Sequence, residues 1–430
     1  MTGELAEGDL SLRYVDSFDI GPTRRSRLDR LRAARVADGG SPSAGSRPEP
    51  RSDRAQRLAA DVGGSILETP QRPIVVVERR LPLEARLDGL RWLPEPVDPG
   101  QPLILIDTET TGLGTGAGTL PFLVGVGAWQ GDTFVTRQLL LPEQSDEAGY
   151  LTALAGLIPP DACLVSYNGR SFDWPLLVTR FRLHGRPAPP HAAHLDLLPL
   201  ARVLWRHRLA DARLASVETA ICGVHRAHDL PGGLVPARYL DYLRSGHGGL
   251  LREVLEHNHQ DVLSMALLLR VLATDLAPAS ATRRAPSSVD AGDLGGLGRA
   301  YARRRRHEEA LACFDTALER LEGSRDAGRY EGVAIERART LTRLGLRTEA
   351  EGAWHAIALE GGRHAALAWL HVAKHREHDG RDVRAALAAT DRARALAERG
   401  RLFGRRDRVV ERDLARRVPR LRRRLAAMAA

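Results

Sequence analysis

Four apolar residues, Leu103-Ile104-Leu105-Ile106, run straight into Asp107-Thr108-Glu109-Thr110-Thr111-Gly112. An apolar run that stops at small polar residues and Gly reads as a buried strand. β-Branched or apolar stretches predict further strands at Ile74 to Glu78, Phe122 to Trp129, Thr133 to Leu141 and Ala162 to Tyr167. Gln130-Gly131-Asp132 joins the middle two as a hairpin. Helical spacing predicts Ser52 to Val62, Asp146 to Ile158 with Asp146 as N-cap, a helix ending near Leu183, Leu197 to His207, and Leu250 to about Asp275. Strand, hairpin and strand, then helices with an interposed parallel strand, point to an α/β layered sheet.

The pattern divides the chain. Residues 1–55 read as a weakly structured lead-in, with a short basic helix at Arg24 to Val36 and a Gly/Ser/Pro-rich linker at Asp38 to Arg51. Residues 56–277 form the α/β domain with an N-terminal extension, and 278–289 are a linker rich in Pro, Ala, Ser and Arg. Residues 290–430 are all-helical. Three stretches there, Leu294 to Leu321, Tyr330 to Leu359 and Ala365 to Leu396, resemble one another, which signals a helical-repeat array. The first, with Leu297, Gly298, Tyr301, Ala310, Phe314 and Ala317, resembles a tetratricopeptide repeat. An ordinary helical bundle is the alternative.

Charge is concentrated at one end. The formal net charge is +9, but residues 401–430 hold eleven Arg against Asp407, Glu411 and Asp413, a net +8. That leaves 9 − 8 = +1 for the rest of the chain. The tail therefore reads either as an electrostatic handle for nucleic acid or as the solvated face of a last helix. Cys163, Cys222 and Cys313 are far apart, with neither disulfide nor zinc spacing, which suits a reducing cytoplasm. No apolar h-region opens the chain, so no signal peptide is expected, and no stretch has the length of a membrane span.

The chemistry gathers on carboxylates. On a strand, residues i and i+2 share a face, so Asp107 and Glu109 lie side by side. Two like charges that close repel unless a cation lies between them, and Mg²⁺ prefers carboxylate oxygens; the alternative is a strand end where both acids face water. Asp173, in Tyr167-Asn168-Gly169-Arg170-Ser171-Phe172-Asp173, falls just past a strand end, where α/β sheets place their ligands; it could equally cap a helix. His257 and Asp261 are i and i+4 on an otherwise apolar helix, hence on one face. They read as a metal-binding Asp beside a proton-handling His, or as a local pair. Glu256 points elsewhere, towards solvent. Asp196 and Glu218 read as structural, and His191, His194, His225 and His228 as surface or loop residues without zinc spacing.

Taken together, Asp107-x-Glu109, Asp173 in NGRSFD and Asp261 resemble the three motifs of the DEDD superfamily of 3′–5′ exonucleases, with a ribonuclease-H-like fold. The resemblance covers residues 100 to 275 and is closest to its YprB-like branch, through Val76 to Arg80, His194 to Leu197, Leu214 to Glu218, Asp229 to Gly232, Pro236, Tyr239 and His257 to Ser264. One position departs: the two main subclasses carry Tyr four before the last Asp or His five before it, whereas here His257 is four before Asp261 and Glu256 five before. The resemblance implies a two-metal mechanism with Mg²⁺ or Mn²⁺ ions about 4 Å apart on the scissile phosphate. It implies Asp107 bridging both ions, Glu109 and Asp261 completing the water-activating site, Asp173 holding the second ion, and His257 orienting or deprotonating the nucleophile. Asn168 and the Thr110 to Gly112 backbone would meet the terminal nucleotide, or else simply form turns.

Two functions follow as expectations: a cytoplasmic, metal-dependent 3′–5′ exonuclease on DNA or RNA with a helical-repeat accessory domain, or a non-catalytic nucleic-acid-binding or protein scaffold. The repeats would bind a protein partner or fold back on the nuclease domain.

Overall fold

A computed structural model describes residues 51–98, 100–112, 116, 118–226, 230–276, 289–322 and 327–429. The expected lead-in helix at Arg24 to Val36 lies outside them, as does most of the expected linker at 278–289.

A seven-stranded mixed sheet forms the first layer, in the order β1-β2-β5-β4-β3-β6-β7. Its strands are β1 (Ser65–Leu67), β2 (Ile74–Pro82), β3 (Leu103–Thr110), β4 (Pro121–Gln130), β5 (Thr133–Leu140), β6 (Cys163–Ser166) and β7 (Ala193–Asp196). Neighbours from β1 across to β3 pair antiparallel, while β3–β6 and β6–β7 are parallel. β3 therefore sits where the sheet changes from antiparallel to parallel, flanked by β4 and β6. The strand period sorts its side chains. Ile104 and Ile106 enter the core on one face and Leu105 the core on the other. Asp107 and Glu109 then extend the Leu105 side, and Thr108 extends the Ile104 side.

Helices cover both faces: α1 (Arg51–Val62), α2 (Glu147–Gly156), α3 (Asp173–Leu183), α4 (Leu197–Leu204), the one-turn α5 (Leu214–Val217), α6 (Val235–Ser245) and α7 (Arg252–Val271). Helix α2 starts one residue later than expected: Asp146 ends a preceding 3-10 turn, is buried, and makes no side-chain cap. Asp173 is the first residue of α3, not its cap. The edge strands β1 and β7 and the helices α5 and α6 were not foreseen. β7 is four residues long with His194 and Asp196 in it, too short and polar to stand out by pattern.

The remaining described elements are all helical: α8 (Ala291–Arg303), α9 (His307–Leu321), α10 (Ala327–Leu344), α11 (Arg347–Glu360), α12 (Ala365–His378), α13 (Val383–Leu402) and α14 (Arg408–Ala429). Each packs on the next. The first two share a core with the sheet domain, where Leu294, Leu297, Tyr301 and Phe314 join Leu204, Trp205 and Leu93. The approach of α8 to α4 is close enough to need Gly296, whose added Cβ would lie 2.6 Å from the Leu204 carbonyl oxygen. Tyr301 donates its hydroxyl hydrogen to the Trp92 carbonyl, and Arg306 Nη1 donates to the Leu93 carbonyl at 2.7 Å. Among the described residues, no helix is long and apolar enough to cross a membrane.

Candidate active site

β3 delivers two carboxylates to its own C-terminal end. Asp107 is half-buried and faces α7; Glu109 follows on the same side. What brings α7 against them is a groove on β4. A Cβ on Gly125 would lie 2.3 Å from Asn258 Oδ1, and one on Gly127 would lie 2.6 Å from Val262 Cγ1. Residues i and i+2 of the strand thus accept i and i+4 of the helix, whose buried face is Val254, Asn258, Val262 and Met265.

Asn258 is the buried polar hub where the helix meets the sheet. Its Nδ2 donates to Asp107 Oδ2 at 2.8 Å and to the Asp107 carbonyl oxygen at 3.3 Å. Its Oδ1 accepts from Gln138 Nε2 at 3.0 Å, and Gln138 also donates to the Leu255 carbonyl at 2.7 Å. With Asn258 facing the sheet, His257 and Asp261 lie one step round the helix, on the rim. His257 Nε2 is 3.8 Å from Glu109 Oε1 and 3.7 Å from Asp261 Oδ2. Glu256 turns outward, largely exposed, and accepts from Arg79 Nη1 at 2.6 Å.

The opposite side of β3 supplies the fourth acid. Thr108 Oγ1 donates to Asp173 Oδ1 at the start of α3. The turn before α3 is fixed by Asp196, whose carboxylate accepts from the backbone N–H groups of Asn168 (2.8 Å), Arg170 (3.3 Å) and Leu198 (3.1 Å). Asn168 is exposed in the left-handed region, φ 72°, so it shapes this turn. Thr110 Oγ1 donates to the Gly112 carbonyl at 2.6 Å, closing the turn after β3.

Three elements, β3, α3 and α7, thus bring Asp107, Glu109, Asp173 and Asp261 within electrostatic reach of one another. Burial first, then the charges of Asp261, Glu109 and Asp173, hold the Asp107 carboxyl well above the usual carboxylate range. Burial pushes Asp173 up to about 6 against the hydrogen bond from Thr108. Burial also raises Asp261, although His257 and Arg226 pull it the other way. Ligand atoms of Glu109, His257 and Asp261 all lie within 4.8 Å of one another. Such a crowd of hard oxygens, with an imidazole, fits a divalent cation.

Asn258 and Arg226 are site residues that the sequence did not single out. Arg226 Nη2 donates to Asp261 Oδ1 at 2.5 Å, and its Nε to Glu218 Oε1 at 2.5 Å. Glu218 is fully buried and also accepts from Ser264 Oγ. Nothing local marks Arg226. Asn258 could have been found, because a polar residue on the buried period of an apolar helix needs a partner. The surface assignment of His194 is corrected: it packs towards Trp174, its Nε2 is 2.8 Å from Ser166 Oγ, and burial lowers it to about 4. His225 is exposed, and His228 lies outside the described residues.

The fit of α7 onto β4 has a measurable consequence. Gly125→Ala pushes Asn258 and Val262 off the sheet, an overpacking that costs about 1–3 kcal/mol. Thermal unfolding will show a lower Tm, and any metal-dependent activity will fall with it, because Asp107 loses its donor.

Residues 104–273 match the profile of the RNase_H superfamily. The uncharacterized protein YprB of Bacillus subtilis (strain 168) is 39% identical over 168 residues, which span 39% of this chain and 40% of that relative. The match thus covers well under half of either chain. The sheet order, with β3 central between an antiparallel hairpin and two parallel strands, together with this match, gives a ribonuclease-H-like α/β domain followed by an all-helical region.

Proposed function

We propose that this chain is a metal-dependent 3′–5′ exonuclease that hydrolyses phosphodiester bonds of DNA or RNA. The convergence of Asp107 and Glu109 on β3, Asp173 on α3 and Asp261 on α7, with ligand atoms of Glu109, His257 and Asp261 within 4.8 Å of one another, is the observation that carries the reading. Four acids on three elements are held together against their own repulsion, and a non-catalytic fold has no use for that cost. The ribonuclease-H-like fold supports nuclease-type chemistry at the C-terminal end of β3.

In this reading Asp107, Glu109, Asp173 and Asp261 hold two divalent cations, Mg²⁺ or Mn²⁺. When bound, such cations neutralise the phosphate and lower the pKa of attacking water. The chain's own residues do the rest. Asn258 fixes the Asp107 carboxylate through Oδ2, and Thr108 fixes Asp173 through Oδ1. His257, turned towards Glu109 and Asp261, takes the proton of the attacking water at Nε2. Its place four residues before Asp261 serves because α7 presents that face to β3. The turns at Thr110 to Gly112 and at Asn168 flank the two carboxylate-bearing elements and meet the terminal nucleotide. The helical array, tetratricopeptide-like in its first unit, acts as an accessory domain in a cytoplasmic protein.

The test is release of acid-soluble nucleotides from single-stranded DNA and RNA, with and without chelator. His257→Ala lowers kcat by about 10²–10⁴-fold with KM nearly unchanged, the range for removal of a general base. Full activity in chelator, or an unaffected His257→Ala, contradicts the reading; tight binding without cleavage favours the scaffold alternative.

A further inference from the structure

The arginines of α14 are sorted by face. Arg417, Arg420 and Arg424 all turn inward onto the buried Glu377 of α12, with Arg420 Nη2 at 2.7 Å and Arg424 Nη1 at 3.1 Å from it. Arg417 also donates to Asp413 at 3.0 Å, and Arg406 to Glu411 at 2.9 Å. Arg401, Arg405, Arg408, Arg412 and Arg416 are exposed, and none meets a carboxylate among the described residues. Arg408, Arg412 and Arg416 are spaced i, i+4, i+8, so they form one stripe with about 6 Å between steps.

Beside this stripe lies an apolar tip. Leu402, the last residue of α13, and Phe403, in the turn that follows, are 85% and 72% exposed, and Val409 in the first turn of α14 is 74% exposed. The true apolar face of α14, formed by Val410, Leu414 and Leu421, is buried against the array. It is therefore not available to enter a lipid surface.

We infer that the outer face of α14, with Phe403 at its tip, is a docking surface for a single-stranded stretch of nucleic acid. The occupant follows from charge and shape. A row of guanidiniums facing solvent complements a row of phosphates, since each can donate two parallel hydrogen bonds. An exposed Phe amid arginines offers a face on which an unpaired base stacks, which a duplex cannot supply from its interior. The net +8 of residues 401–430, against about +1 (9 − 8) elsewhere, concentrates this attraction at one end. The surface rests on the nuclease reading and deepens it by naming the strand as its ligand: a long substrate is held here, away from the four acids.

The test uses the full chain in chelator, so that nothing is cleaved, and measures anisotropy of a labelled oligothymidylate across a salt series. Replacing Arg408, Arg412 and Arg416 together by Gln weakens binding at least about tenfold near 0.1 M salt. It also flattens the log–log salt slope by about 2, at about 0.7 for each phosphate that these arginines no longer neutralise. Phe403→Ala weakens binding roughly tenfold and leaves the slope alone. All of these side chains are exposed, so unchanged Tm values certify the fold. Unchanged affinity and slope in the triple variant overturn the inference. So does equal binding of duplex with no effect of Phe403→Ala, or capture by anionic phosphatidylserine vesicles in preference to the oligonucleotide. A protein that binds but does not cleave would sink the nuclease reading and keep this one; cleavage unaffected by the triple variant, on strands long and short, with binding unchanged, does the reverse.

Discussion

Asp107→Asn will abolish hydrolysis and, in chelator, will melt at a higher temperature than wild type. Both effects come from one carboxylate. Asp107 is raised by burial and by Asp261, Glu109 and Asp173, so its negative charge is opposed in the metal-free fold. An Asn there still accepts from Asn258 Nδ2 but brings no charge. Adding Mn²⁺ reverses the order. Wild type gains about 2.7 kcal/mol when the ion stands at a hundred times its Kd, which is several degrees of Tm. The variant gains little. Its kcat falls by at least about 10³-fold, because one of the four acids that would hold the ions is gone. Calorimetry in chelator and in Mn²⁺ checks the crossing. A variant that is less stable than wild type in both buffers would mean that the four acids are not strained against one another. Burial of Asp173 sets a pH dependence for the metal-free protein. Asp173 keeps its proton to about 6 in the fold, against an ordinary 3.8. A raised acid contributes stability at low pH and loses it as pH rises, here between about 4 and 6.

Arg226→Met will cost more in stability than any other single change at the site. Arg226 lies between two acids, and Glu218 is fully buried. Burial opposes its charge, but its hydrogen bond to Glu218 and the charge of Asp261 outweigh that and keep it firmly protonated. Removing one partner of a buried ion pair typically costs about 3–5 kcal/mol, because the other is left uncompensated. A chain of this size should then melt on the order of 10 °C lower. Glu218→Gln in the same chain should recover much of that stability, since the stranded charge goes with it. Activity tells the positioning role apart from a general loss of fold. Asp261 without Arg226 is free to rotate, so kcat should fall at temperatures where the variant is still folded, while KM changes little. A drop of under about 1 kcal/mol, the range of a solvated ion pair, would show that Asp261 is held by other groups.

The acids themselves were legible because each is announced by its neighbours in sequence. The apolar run into Asp107 fixes a strand and its parity, and the turn at Asn168-Gly169 follows the next parallel strand. The i, i+4 spacing puts His257 beside Asp261 whatever the helix packs on. What was not legible is what decides which way α7 faces. That depends on Gly125 and Gly127 lying across from Asn258 and Val262, far apart in the chain, and on Gln138 on a third strand. Arg226 was invisible for the same reason: its partners are chosen by the fold and not by spacing. The linker composition at 278–289 likewise says that the chain is cut there into two patterns, but not that α8 and α9 complete the sheet domain's own core.

Degradation of 5′-labelled single-stranded DNA and RNA with Mg²⁺ or Mn²⁺, resolved to single nucleotides, decides whether the four acids form a nuclease centre. A two-metal 3′–5′ exonuclease gives a ladder that shortens from the 3′ end, present only with metal and absent in Asp107→Ala. Release of the label at once as a mononucleotide would contradict the polarity. Intact strands under wild type, bound but uncut, would contradict the enzyme and leave a nucleic-acid-binding scaffold.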